Sequence, residues 1–141
     1  MVAIQPRLTL QQQEIAADTR TLRSLDWDRS RFDIEFGLRN GTTYNSFLVR
    51  GERTALIDSS HAKFRSSWIP ALQEMVDPST IDVLIVSHTE PDHSGLIGDL
   101  LELNPDLEVV GSKVAINYLQ SQVHRAFKSR AVKSGETLDL G

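Results

Sequence analysis

Within the six residues His88-Thr89-Glu90-Pro91-Asp92-His93 stand two imidazoles and two carboxylates, followed by Ser94-Gly95. Four metal-capable side chains so close together, with no thiolate among them, suit iron, zinc or manganese. Residues two apart on an extended strand share a face, so His88 and Glu90 can point to one side as a strand leaves its sheet. Pro91 then ends the ladder and turns the chain, which brings Asp92 and His93 back toward the same volume. Four ligands in six residues are more than one compact mononuclear site takes from so short a stretch, and the spacing points to two metals that share them. The plainer alternative is a solvated polar loop in which Asp92 caps a helix starting near Leu96; capping and ligation are compatible.

Other chemistries leave no such mark. There is no GxSxG, no GxGxxG after a strand and no GxxxxGK. Ser59-Ser60-His61 sets hydroxyls beside an imidazole, but sequence neighbours rarely form a nucleophile and base pair. His61 reads first as a helix-start residue, although it follows a strand end and could lie near the site. His124 sits in a basic stretch and reads as a surface histidine. That stretch carries Lys113, Arg125, Lys128, Arg130 and Lys133 with no acid between Val109 and Gly135, and it reads as solvated cations near a helix end before it reads as a docking patch.

The elements that must position the motif follow from periodicity. Residues 81–86 (IDVLIV) are almost continuously apolar, as in a strand covered on both faces, which implies helices on both sides of a sheet. Upstream, residues 21–27 give a weak strand signal. Asn40-Gly41 marks a turn, and residues 42–50 and 54–57 form a hairpin. Apolar residues at spacings of three and four over 62–76 mark a helix that Pro70 should kink or split. Residues 96–103 read as the next helix, 107–110 as the next strand and Ser112 as the cap of another helix. Residues 131–140 offer two short strands around Ser134-Gly135. Strands that first pair and then alternate with helices give an α/β layered sheet.

Composition sets the limits. The 141 residues carry 15 basic and 19 acidic side chains, a net charge of −4, and no cysteine. Thiolate zinc sites, iron–sulfur clusters, disulfides and cysteine nucleophiles are thereby excluded. The mild acidity argues against nucleic acid as a partner. No apolar run approaches the roughly 18 residues of a membrane span, and the first ten residues lack a secretory pattern.

The segment from His88 to Gly95 after a buried strand resembles the metallo-β-lactamase fold, and more closely that fold as flavodiiron proteins use it. The zinc hydrolases of the fold typically carry H-x-H-x-D-H; here Glu90 replaces the second histidine. H-x-E-x-D-H is the flavodiiron variant, and an added anionic oxygen ligand favours iron that cycles through the ferric state. Residues 24–36 (SLDWDRSRFDIEF), 41–48 (GTTYNSFL), 55–59 (ALIDS) and 111–113 (GSK) also look like stretches of these proteins. The chain is most similar to the diflavin branch of oxygenic photosynthetic organisms, from about Thr21 onward.

That resemblance implies that His88 and Glu90 ligate one iron and Asp92 and His93 the other, with Asp58 supporting the site from behind. It implies an αββα sandwich of which residues 21–141 are the N-terminal half, preceded by an arm over residues 1–20. A third histidine, a bridging aspartate and a last histidine are expected beyond the 48 residues that follow His93, since His124 is the one histidine among them. The implied reaction is reduction of dioxygen to water, or of nitric oxide in some members, in a cytoplasmic homo- or hetero-oligomer. Electrons come from NAD(P)H through a flavin-reductase domain and an FMN-bearing flavodoxin-like domain, neither of which lies in these residues. The 141 residues alone are expected to be inactive, to bind iron weakly and to expose a sheet edge. The alternatives are a zinc-dependent hydrolase of the same fold and a non-catalytic remnant.

Overall fold

Alternating burial along the early strands shows how the sheet is built. In the computed structural model, which describes residues 6–32 and 36–141, strand β2 (Thr19–Asp26) buries Leu22, Ser24 and Asp26, and β5 (Thr42–Arg50) buries Tyr44, Ser46 and Leu48. Antiparallel pairing sets Leu22 opposite Ser46 and Ser24 opposite Tyr44, so the inward residues of the two strands meet on one face. The hairpin expected over 42–57 is present, with β6 (Thr54–Ile57) antiparallel to β5. Residues 8–16, read from sequence as part of a loose arm, form β1 (Leu8–Ala16) along the outer edge of β2. Residues 1–5 of that arm, and 33–35 of the 24–36 stretch, lie outside the described residues. A small ribbon, β3 (Arg31–Phe32) with β4 (Phe36–Gly37), precedes Gly41.

From β6 onward the pairing is parallel, through β7 (Val83–Ile85), β8 (Glu108–Gly111) and β9 (Lys128–Ala131), giving the order β1-β2-β5-β6-β7-β8-β9. Parallel neighbours need crossovers, and helices supply them. A 3-10 turn (Ala62–Phe64) leads into α1 (Arg65–Met75); α2 (Pro91–Ser94) and α3 (Ile97–Leu103) join β7 to β8, and α4 (Lys113–Gln122) joins β8 to β9. Ser112 caps α4 as expected, its Oγ accepting the Ala115 amide at 3.1 Å. Pro70 does not split α1. It lies on the exposed side, where water can take the carbonyl its missing N–H leaves free.

Two expectations, and one part of the plainer alternative, are corrected. The described helices do not flank the sheet: Trp68 and Leu72 of α1, Ile97 and Leu101 of α3, and Ile116 and Leu119 of α4 all join one cluster with Leu22, Leu48, Leu56 and Leu84. The opposite face holds Ala55, Val83 and Val110, covered by Val132, Leu138 and Leu140 of the C-terminal segment, which accounts for the unbroken apolar run of β7 without a second helical layer. Only β9 forms near the C-terminus; no strand follows it among the described residues. Asp92 is not a cap of α3, whose first turn follows Leu96; it lies buried inside α2.

Candidate metal centre

The site is built where parallel strands β6 and β7 end side by side. The Asp58 amide donates to the Ile85 carbonyl at 2.8 Å, continuing the ladder one residue beyond β6. Asp58 then takes a left-handed backbone conformation, φ 58°. Aspartate tolerates this better than most residues, yet it is uncommon outside glycine and marks a position held by its surroundings. Asp58 Oδ1 accepts the Ser87 amide at 2.8 Å, and its Oδ2 accepts both the Ser87 hydroxyl and a ring N–H from His93, whose Nδ1 lies 2.9 Å away. The buried carboxylate thus fixes the strand end that leads into the motif and orients one of its histidines.

The four motif residues group two and two. His88 Nε2 stands 3.9 Å from Glu90 Oε1, and His93 Nε2 stands 3.7 Å from Asp92 Oδ2. Donors at such separations can share one ion at about 2.0–2.2 Å from each. The His88 and His93 rings lie 5.6 Å apart between centroids, so the pairs adjoin. They differ in readiness. With Nδ1 donating to Asp58, His93 keeps its Nε2 lone pair on the Asp92 side, the tautomer a metal needs. His88 Nδ1 instead accepts the Glu90 amide at 3.1 Å, which leaves the proton of the neutral ring on Nε2; ligation there requires that bond to be given up. The His88 and Glu90 side chains are each 55% exposed, whereas Asp92 is buried. Among the described residues no three His, Asp or Glu side chains form a metal-holding group. The donor set fits iron chemically, but each pair offers only part of a coordination sphere.

Beside the motif a cavity of about 300 Å³ is lined by Arg29, Phe32, His61, Glu90, Pro91 and Asp92. His61 confirms its helix-start reading, Nδ1 accepting the Lys63 amide at 3.2 Å, and also reaches the site. Its ring stacks on Tyr44, and burial, aided by Lys63 and Arg29, depresses its pKa. Behind it lies a charge network that sequence reading missed. The Tyr44 hydroxyl donates to Asp26 Oδ2 at 2.8 Å and accepts from Arg29 at 2.8 Å, while Lys63 pairs with the same Asp26 oxygen. Burial would raise the Asp26 pKa, but the hydrogen bonds from Lys63 and Tyr44 outweigh it and hold the carboxyl below its usual range. Burial also pushes Tyr44 up to about 12. The alternating pattern of β2, which turns Asp26 to the same side as Leu22, was the signal available. His124 is exposed, as read, and Ser60 pairs with Ser24 at 2.7 Å, not with His61.

A family model described as ODP family beta lactamase matches residues 42–140. The chain is 58% identical over 137 residues to "Diflavin flavoprotein A 1" of Synechocystis sp. (strain ATCC 27184 / PCC 6803 / Kazusa), covering 97% of this chain and 24% of that protein. Among solved structures it is similar to the metal-soaked Flv1 flavodiiron core from Synechocystis sp. PCC6803, with TM-score 0.86 and 31% identity over 96% of this chain and 34% of that one. It is also similar in fold to rubredoxin oxygen:oxidoreductase from Desulfovibrio gigas, with TM-score 0.84 and 30% identity over 93% and 33% of the two chains. The chain thus spans about a quarter of the length of the curated relatives it matches.

Proposed function

The chain belongs to the ODP family beta lactamases, the β-lactamase-like part of flavodiiron proteins, and from that premise we propose that it supplies four ligands of a diiron oxidoreductase. His88 and Glu90 hold one iron, Asp92 and His93 the other, and Asp58 orients His93. The observation that carries this reading is the two-and-two grouping of the donors at 3.9 and 3.7 Å, with His93 already turned by Asp58 to offer its Nε2. The remaining ligands come from sequence outside these 141 residues, since neither pair completes a site.

The iron pair, when bound, supplies the redox chemistry for reducing dioxygen to water, or nitric oxide, with electrons that pass from NAD(P)H through FMN. The flavin domains are likewise outside this chain, which acts within a cytoplasmic homo- or hetero-oligomer. The residues present have definable tasks. Glu90 and Asp92 bring one anionic donor to each metal and so favour the higher oxidation state. Arg29 and His61 bring N–H donors to the adjoining cavity, which those carboxylates also line. The Asp26–Tyr44–Arg29–Lys63 network holds that wall in place.

NAD(P)H-driven oxygen consumption tests the reading. The complete gene product should turn over, its Glu90→Ala variant should lose most of the rate, and the 141 residues alone should show none. Ester or thioester hydrolysis with stoichiometric zinc and no iron would instead establish the hydrolase alternative, which Glu90 disfavours.

A further inference from the structure

Asp58 is not alone in touching His93. Its neighbour Ser59, fully buried, donates to the His93 carbonyl twice, from its amide at 2.8 Å and from its hydroxyl at 2.7 Å. The same hydroxyl oxygen accepts the Leu96 amide at 3.2 Å, so it bridges the end of α2 and the entry to α3. Ser59 is itself anchored from the sheet, because Ser46 Oγ donates to its carbonyl at 2.7 Å and Thr21 Oγ1 donates to the Ser46 carbonyl at 3.1 Å. On a regular strand the side chains of residues 58 and 59 would point to opposite faces. The left-handed φ of Asp58 breaks that alternation. As a result two consecutive residues grip one histidine at both ends, Asp58 by the ring and Ser59 by the carbonyl.

We propose that Ser59 is a positioning residue for the metal centre: it fixes the backbone of the Asp92–His93 turn while Asp58 fixes the ring, so that the two donors of that pair keep their spacing. The inference rests on the diiron reading above. It assigns to the buried hydroxyl column Thr21–Ser46–Ser59 the task of transmitting the rigidity of β2 and β5 to a ligand pair that its own short helix cannot hold. Losing one such support should resemble loss of other outer-shell partners, about a 10- to 100-fold fall in metal affinity.

The test uses the complete gene product, ferrous iron as the probe, and two readouts: iron affinity and thermal melting. Ser60→Ala is the control, since Ser60 is equally buried and, among the described residues, its hydroxyl pairs with Ser24 and not with the Asp92–His93 turn. Ser59→Ala should bind iron about 10- to 100-fold more weakly than wild type while melting close to Ser60→Ala. Ser59→Thr, which keeps the hydroxyl, should restore the affinity, and Ser60→Ala should retain it. Wild-type affinity in Ser59→Ala, equal losses in the two alanine variants, a folded Ser59→Thr that has lost iron, or a Ser59→Ala protein melting far below Ser60→Ala would each overturn the positioning role alone. A wild-type protein that takes up no iron would overturn the diiron reading itself, and this inference with it.

Discussion

Asp58 shows how much a single residue decides. Its left-handed backbone lets one carboxylate take a strand-end amide, a hydroxyl and an imidazole at once. Asparagine tolerates the same conformation but withdraws the charge, so Asp58→Asn should fold with little loss and bind iron about 10- to 100-fold more weakly. Asp58→Ala should in addition lose about 1–3 kcal/mol in denaturant titrations, because a residue with a Cβ and no local hydrogen bond is strained there. The Asp26–Tyr44 pair gives a pH signature. Asp26 is held below its usual range when folded, so its stabilisation is present above an unfolded value of about 3.9 and lost as pH falls through the lower folded one. Tyr44 is raised to about 12, so stability is complete below an unfolded value of about 10 and declines between there and 12. Melting curves across that alkaline window should fall less steeply for Tyr44→Phe than for wild type. The motif from His88 to His93 was legible because its chemistry is local in sequence. Asp58 entered only through the family resemblance, and Ser59 and Asp26 had no place in the expected site; their contacts span 18 to 37 positions, as in Asp26–Tyr44 and Ser59–Leu96, and no spacing rule reports such partners.

At the scale of elements, the hairpin strands over 42–57 were legible between their turn signals and α4 by its Ser112 cap, whereas β2 gave only a weak signal over 21–27. The errors have a common source. An unbroken apolar run in β7 says that both faces are covered but not by what, and here an irregular segment does the work of the expected helix. The Gln-rich stretch preceding β2 looked loose because an edge strand needs little apolar burial when its register is set by the neighbour, as Leu10 opposite Ser24 illustrates. Two glycines hold elements together by close approach. A Cβ on Gly41, which has φ +74°, would stand 1.9 Å from the Asp26 carbonyl oxygen. On Gly95 it would stand 2.5 Å from the Pro91 carbonyl oxygen and 2.8 Å from that of Ser60. Gly95→Ala should therefore push α2 off the turn after Ser59, costing about 1–3 kcal/mol and weakening iron binding. Gly41→Ala should cost a similar amount without a specific effect on metal. Paired melting and iron titrations separate the two.

The whole molecule is a seven-stranded mixed sheet with one face sealed by helices and the other only partly covered. Phe47, Ile57 and Ile85 stand in register across that second face and are only half-buried, while β9 leaves an edge with all four residues exposed. Both features favour self-association. Sedimentation of the 141 residues alone should show mass rising with concentration, and a monomer at all concentrations would contradict this. The α/β class and the position of the site at the strand ends could be read from the sequence, whereas the single-sided helical layer required the three-dimensional arrangement. The claim on which everything else depends is that His88, Glu90, Asp92 and His93 serve two irons. Metal analysis of the purified complete gene product, beside its His88→Ala and Asp92→Ala variants, tests it most directly. About two irons per wild-type chain and a clear loss in each variant are expected; stoichiometric zinc without iron, or unchanged iron in both variants, would overturn the assignment.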